Sequence, residues 1–203
     1  MKDKIINILQ KHKVTIIMTF VWGILAHGYA MTNALMYHDG LLVERVGATY
    51  VSGRWFLGLL GEKGIIGKLF GVYNLPFLSG MVFLTLVAVT NILIMELFDI
   101  KSNISCAILS GVLVVYPTIT TMFGYIYTMD YYALAVLMCV FAVWVIKKFK
   151  NPWISSVISI VCIVCSMGIY QAYVGFAITL ILLLFIDEIL NGELDKLSSI
   201  MFR

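Results

Sequence analysis

Residues 153–190 read WISSVISIVCIVCSMGIYQAYVGFAITLILLLFIDEIL and contain no strong polar break. An α-helix rises 1.5 Å per residue, so a single helix of this length would extend about 57 Å. That is nearly twice the roughly 30 Å hydrocarbon thickness of a bilayer, and the stretch must therefore fold back. The only polar candidates near its middle lie in GIYQAYVG, residues 168–175. The sequence therefore predicts two spans joined by a hairpin at Tyr170 and Gln171.

The rest of the chain has the same apolar character. Of its 203 residues, 62% are hydrophobic and 12% are charged, and the mean hydropathy is +1.00. Soluble domains are only about 45–50% apolar and about 25% charged. The ten-residue alternation typical of a transmembrane barrel is missing. The sequence therefore predicts an all-α integral membrane protein, a single module over residues 1–203 without a soluble domain. About six transmembrane helices are predicted, at about 14–35, 73–97, 104–120, 131–146, 154–169 and 173–190.

Two further segments are predicted to lie at the membrane surface. Residues 1–13, MKDKIINILQKHK, alternate basic and apolar residues and indicate an interfacial entry helix. Residues 54–70 are apolar but too rich in glycine and charge to span, so we expect an external interfacial helix there. Near the inner end of the second span, Glu96 is expected to snorkel beside Lys101.

The positions of Lys and Arg predict the orientation. With a cytoplasmic N-terminus, ten of these residues lie inside, and only Arg45, Arg54, Lys63 and Lys68 lie outside. This distribution satisfies the positive-inside tendency. The segments that join spans one and two, three and four, and five and six are then all external.

Several kinds of chemistry find no support in the sequence. The net charge of +3 gives no indication of nucleic-acid binding. Cys162 and Cys165 have CxxC spacing, but in the middle of a span a thiol usually packs as a small hydrophobe. No metal motif of the HExxH type and no nucleotide-binding glycine loop after a strand appear. We predict no cofactor and no metal ligands.

The first external segment begins with His38 and Asp39, where the first span ends. A carboxylate at this depth is partly desolvated, which raises its pKa toward a value useful to a general base. His38 could orient Asp39 or bind a phosphate. A solvated carboxylate that caps a helix end is the alternative.

Other external polar residues are also open to two interpretations. Arg54 could clamp a phosphate and Trp55 could stack on a sugar, or both could be interfacial anchors. Asp130, beside tyrosines, could belong to a sugar site or to an aromatic belt. Gln171, next to Tyr170 at the hairpin, could bond to backbone or donate to a phosphate or a sugar hydroxyl.

Four motifs together resemble a known family. They are HGYAMTNALMYHDG at 27–40, GRW at 53–55, YPTIT at 116–120 and GIYQAY at 168–173. In this order they are similar to the type II glucosyltransferase domain family of O-antigen-modifying bacteriophage type, within the GT-C class of integral membrane glycosyltransferases. The resemblance covers about residues 10–190. Family members are usually longer, so it implies that the chain is an N-terminal part of a longer protein.

The resemblance implies an enzyme of the bacterial cytoplasmic membrane. The family's pattern assigns Asp39 as catalytic base, Arg54 as a contact to the donor phosphate, and Tyr170 and Gln171 to the lining of the same cavity. The implied partners are a polyprenyl-phosphate-linked sugar and a cell-envelope glycan that accepts a glucosyl or similar hexosyl unit.

Two other functions remain open. A flippase for a lipid-linked sugar would need polar residues at mid-depth in its spans, often in broken helices, and the span centres here are nearly free of charge. If the chain were a non-catalytic membrane protein, the location of Asp39, Arg54 and Gln171 at one membrane face would have no functional meaning.

Overall fold

A computed structural model describes residues 2–33, 35, 52–61, 75–126 and 128–191. Within these ranges the chain is helical and contains no strand. In chain order the helices are α1 (Lys2–Lys11), α2 (Lys13–Thr32), α3 (Trp55–Leu60), α4 (Pro76–Leu97), α5 (Asn103–Val115), α6 (Pro117–Met122), α7 (Met129–Lys148), α8 (Pro152–Ile169) and α9 (Val174–Leu190), with a single 3₁₀ turn (Gln171–Tyr173) before α9.

Among the described residues, five helices are long and apolar enough to cross a membrane. They are Lys13–Thr32, Pro76–Leu97, Met129–Lys148, Pro152–Ile169 and, counting the 3₁₀ turn, Gln171–Leu190. Their ends lie within three residues of the predicted spans. The prediction of an all-α membrane protein is confirmed. Of the interfacial helix predicted at 54–70, the structure describes only α3 and the residues beside it.

Local sequence explains where several helices begin. Prolines occupy the first positions of α4, α6 and α8, where the missing amide hydrogen has no helical partner to lose. The Asn151 side chain caps α8 by accepting hydrogen bonds from the amides of Trp153 and Ile154 at 3.0 and 3.3 Å. The Ser102 hydroxyl caps α5 in the same way.

The stretch predicted as one helix over 104–120 is divided in the structure. Helix α5 ends at Val115, Tyr116 is non-helical with ψ of 137°, and α6 begins at Pro117. The residue before a proline is disfavoured in the α conformation, and the proline cannot donate the next helical hydrogen bond. At 13 residues, α5 is about 20 Å long, which is shorter than the hydrocarbon core.

The break predicted in the stretch 153–190 is confirmed, and it lies at Tyr170. Helix α8 ends at Ile169, and Tyr170 is extended with φ of −157° and ψ of 117°. The thiol of Cys139 in α7 contacts the Ser166 hydroxyl at 3.1 Å and the Tyr173 carbonyl at 3.3 Å. Residues on both sides of the break therefore lie against α7.

The chain divides into two compact units, one formed by Met1–Gly40 with Leu75–Asp130 and the other by Leu41–Asn74 with Tyr131–Arg203. The single module predicted from the sequence stays a prediction. The first unit ends at Asp130 and α7 begins at Met129, so the first two residues of α7 belong to the first unit.

In the first unit, α2 packs against α4 and α5. Gly80 leaves room for Met31, and Gly111 leaves room for the indole of Trp22. The Trp22 indole nitrogen donates to the Ala107 carbonyl at 3.2 Å. Small residues at such positions let membrane helices approach closely, which increases their packing contacts.

Polar pairs also join the helices of the first unit. The Asn91 amide donates to the Thr19 hydroxyl at 2.9 Å. Glu96 pairs with Lys11 at 2.9 Å and with His12 at 3.2 Å. Glu96 was expected to snorkel beside Lys101, but its carboxylate is paired with Lys11 and His12 instead, and Lys101 pairs with Asp99 at 2.7 Å. Thr19 lies against Asn91 and Met31 lies against Gly80, so α2 and α4 are antiparallel.

Candidate functional site

The sequence GRW lies where a short turn enters α3. Gly53 adopts φ of +74°, a conformation that glycine takes without strain. Arg54 follows at the N-cap and Trp55 is the first residue of α3. Leu57 is buried in a small core with Tyr131, Ala135 and Ile169. The core holds α3 against α7 and α8, so the start of α3 has a fixed position in the second unit.

The turn before α3 contacts the segment that follows α8. The side-chain amide of Gln171 donates to the Ser52 carbonyl at 3.3 Å. A Cβ built on Gly53 would lie 3.1 Å from the same amide nitrogen. The GRW and GIYQAY motifs, which lie far apart in the sequence, are therefore in direct contact.

Arg54 lies over an aromatic ring of that segment. Its guanidinium carbon is 4.7 Å from the centroid of the Tyr170 ring, within the range of a cation–π contact. The Tyr170 ring in turn lies 5.6 Å from that of Tyr132 and 5.4 Å from that of Tyr173. Tyr132 and Tyr173 are 5.9 Å apart. We call these four residues, Arg54, Tyr132, Tyr170 and Tyr173, the arginine–tyrosine cluster.

The electrostatics of this cluster favour an anion. Among the residues that the structure describes, the Arg54 guanidinium makes no ion pair and donates no side-chain hydrogen bond; its contact is the ring of Tyr170. A guanidinium carries five N–H donors in a planar fork, and a contact with one ring does not use all of them. Carboxylates and phosphates accept such donors in pairs. The cluster is suited to bind an anion of this shape.

Trp55 is fixed along one edge and exposed elsewhere. A Cβ on Gly168 would lie 2.7 Å from two atoms of its indole, so the ring contacts the last turn of α8 where a side chain is missing. The side chain is nevertheless 42% exposed. An exposed indole beside a cation can stack on a sugar ring or anchor α3 in the headgroup region.

The structure thus brings Arg54, Trp55, Tyr170 and Gln171 together in the second unit. Asp130 lies in the first turn of α7, where a carboxylate is favoured by the helix dipole. It is buried and counted with the first unit. His38 and Asp39 lie outside the described residues, so their roles stay predictions. Within the described ranges, no group of three or more His, Cys, Asp and Glu side chains could hold a metal ion.

Sequence reasoning did not single out Tyr173, and it left the tyrosines beside Asp130, Tyr132 among them, open between a sugar site and an aromatic belt. The spacing of Tyr170 and Tyr173 in YQAY is a signal for Tyr173, because a tight turn at the predicted break brings residues three apart close together, and the Tyr173 amide donates to the Tyr170 carbonyl at 3.3 Å. The contact of both with Tyr132 depends on how α7 is rotated against α8, and the spacing of the tyrosines does not determine that rotation.

A family model described as Glucosyl transferase GtrII matches residues 28–203. The match includes all four motifs except His27, the first residue of the first motif. No curated protein and no solved structure matches the chain.

Proposed function

The chain belongs to the glucosyl transferase GtrII family, and from this we propose that it moves a glucosyl unit from polyprenyl phosphate to a cell-envelope glycan. Its membership and its spans make it a multi-pass membrane glucosyltransferase. We place the reaction at the external face of the bacterial cytoplasmic membrane, because the excess of Lys and Arg on the N-terminal side favours a cytoplasmic N-terminus. Transfer at that face needs a sugar carried by a lipid.

The contact between Arg54 and Tyr170 is the observation that carries the proposal. Polyprenyl phosphate combines an apolar tail with one phosphate at the membrane surface. The guanidinium provides paired donors for that phosphate, and the tyrosine rings beside it provide apolar surface. Trp55 offers a face to the sugar, and Gln171 borders the same position.

The proposed reaction is a single displacement at the anomeric carbon. An acceptor hydroxyl attacks this carbon and gives its proton to Asp39, while the bond from carbon to the phosphate oxygen breaks and its electron pair leaves with the phosphate. Arg54 offsets the charge that develops on the departing phosphate. His38 orients Asp39, and Asp130 is proposed as a further sugar contact. The displacement inverts the anomeric centre.

The role of Asp39 is tested in cells that carry the native acceptor, by measuring glucose on the envelope glycan with mass spectrometry. Asp39→Asn keeps the size of the side chain and removes the base, so we expect transfer to fall about 10²- to 10⁴-fold. Unchanged glucosylation at normal protein levels would exclude Asp39 as the base.

The phosphate contact is tested with purified protein and polyprenyl phosphate as a binding probe. Arg54→Ala is expected to weaken binding about 10- to 100-fold, since a hydrogen bond to a charged group contributes about 1.5–3 kcal/mol. Polyprenol, which lacks the phosphate, should bind equally to both proteins. Lys101→Ala is the matched control, because it removes an exposed cation whose partner is Asp99. Equal phosphate binding by Arg54→Ala would contradict the proposed donor site.

A further inference from the structure

The position of the Arg54 guanidinium depends on the turn that precedes it. Arg54 itself is half-buried at the N-cap of α3, and Ser52 and Gly53 are exposed. An arginine side chain has several rotatable bonds, so fixing its guanidinium over one ring has a cost in conformational entropy. If the turn before Arg54 is already held in one conformation, less conformational entropy is lost when the guanidinium is placed over the ring.

Two contacts hold this turn. The guanidinium of Arg54 lies over the ring of Tyr170. The next residue, Gln171, donates a hydrogen bond from its side-chain amide to the carbonyl of Ser52. Adjacent residues of one segment therefore contact two residues of the other, at positions 52 and 54. A link at two points restricts rotation of the turn more strongly than either contact alone.

Gly53 allows both contacts to form. Its φ of +74° lies in the left-handed region that other residues rarely adopt. A Cβ at this position would lie 3.1 Å from the Gln171 amide nitrogen, which is tighter than ordinary van der Waals contact. An alanine would strain the backbone of the turn and crowd the amide that holds it.

We infer that Gln171 is a positioning residue, which acts through the Ser52–Gly53 turn to hold Arg54 where it binds the donor phosphate. The inference rests on the proposed function, and it changes the role of Gln171 from a direct contact to the donor. The Gln171 amide nitrogen is engaged by the protein's own backbone. This bond joins Gln171 to the turn that carries Arg54, and through that turn we assign its effect on the sugar donor.

The experiment is a double-mutant cycle on the full chain in membrane vesicles that contain the native acceptor, with polyprenyl-phosphate-linked radioactive glucose as donor. Gln171→Met removes the amide donor at nearly constant length and without a change of charge. Gly53→Ala disturbs the same turn from its other side, by straining its backbone and crowding the Gln171 amide. Gly175→Ala is the matched control, because no atom lies within 4 Å of a Cβ there.

We expect Gln171→Met and Gly53→Ala each to lower kcat/KM for the donor about 3- to 10-fold, the value of one neutral hydrogen bond. In an Arg54→Ala background neither change should cause a further loss, because the residue that they position is missing. Coupling of this kind is expected only for residues that act as one unit. Gly175→Ala should leave kcat/KM unchanged.

Equal losses in the presence and absence of Arg54 would overturn the inference and assign Gln171 a separate contact to the donor. That result would leave the phosphate contact of Arg54 intact. An Arg54→Ala protein with unchanged donor kinetics would instead overturn the phosphate contact, and with it the positioning role. Protein amount and unfolding temperature, measured for every variant, separate these outcomes from a loss of folded protein.

Discussion

Replacing Gly168 by alanine is expected to separate α3 from α8. The new Cβ would lie 2.7 Å from two indole atoms of Trp55 and 2.8 Å from the Cβ of Phe56. Carbon atoms normally approach to about 3.5–4.0 Å, so the neighbours must retreat by about 1 Å. The Trp55 ring can rotate, but the Cβ of Phe56 is bonded directly to the backbone. Helix α3 must therefore move.

The size of the effect follows from two opposing contributions. Overpacking in a close contact costs about 1–3 kcal/mol, and alanine gains about 1 kcal/mol over glycine within a helix. The net loss for Gly168→Ala is therefore up to about 2 kcal/mol. For a chain of this size, each kcal/mol corresponds to about 2–4 °C in the unfolding temperature. Gly175→Ala meets no neighbour and should gain stability.

The assay is thermal unfolding of the purified protein in detergent, followed by tryptophan fluorescence at one fixed heating rate. We expect Gly168→Ala to unfold several degrees below Gly175→Ala. Donor kcat/KM should fall as well, because Arg54 immediately precedes the displaced helix. If both alanine variants unfold at the same temperature and retain full activity, α3 does not pack on Gly168 as described.

Three further changes test the first unit by unfolding in detergent. His27→Phe keeps an aromatic ring that can stack on Phe123 but removes the 3.0 Å hydrogen bond from His27 to the Val114 carbonyl, so we expect a loss of about 0.5–2 kcal/mol. Thr19→Val removes the acceptor of the Asn91 amide and should destabilise, whereas the double change with Asn91→Leu should recover most of the loss. Glu96→Gln weakens a partly exposed ion pair and should change stability by less than about 1 kcal/mol, with the difference decreasing as salt is added.

Hydropathy and length predicted most of the helices. A span has to bury about 20 residues, and this requirement, together with the polar residues that interrupt the apolar stretches, placed the ends of α2, α4, α7, α8 and α9 within three residues of their observed positions. The same requirement predicted the break at Tyr170, although Gln171 is the only strongly polar side chain there. The bilayer thickness predicted that the stretch must break, and the polar residues of GIYQAYVG, 168–175, predicted where.

The division of the third predicted helix had a local signal that hydropathy hides. Residues 104–120 are apolar enough to suggest one span, yet Pro117 makes a helix boundary at Tyr116 expected.

The partner of Glu96 had no comparable signal. Lys101 is near in sequence, but the side chain pairs with Lys11 and His12 because α2 runs beside α4. Which helices are neighbours cannot be deduced from the charge of one residue.

The candidate site shows the same limit. Topology assigns a residue to one membrane face, so the sequence predicted a common face for Arg54, Tyr170 and Gln171. It did not predict that the guanidinium lies on the Tyr170 ring or that the Gln171 amide holds the Ser52 carbonyl. Such contacts depend on the rotation of each helix about its axis, which small residues such as Gly168 determine by where they allow close approach. Residues at a shared depth become a site only through that rotation, and for this reason the glycines next to Arg54 and Trp55 are as informative to mutate as the polar side chains themselves.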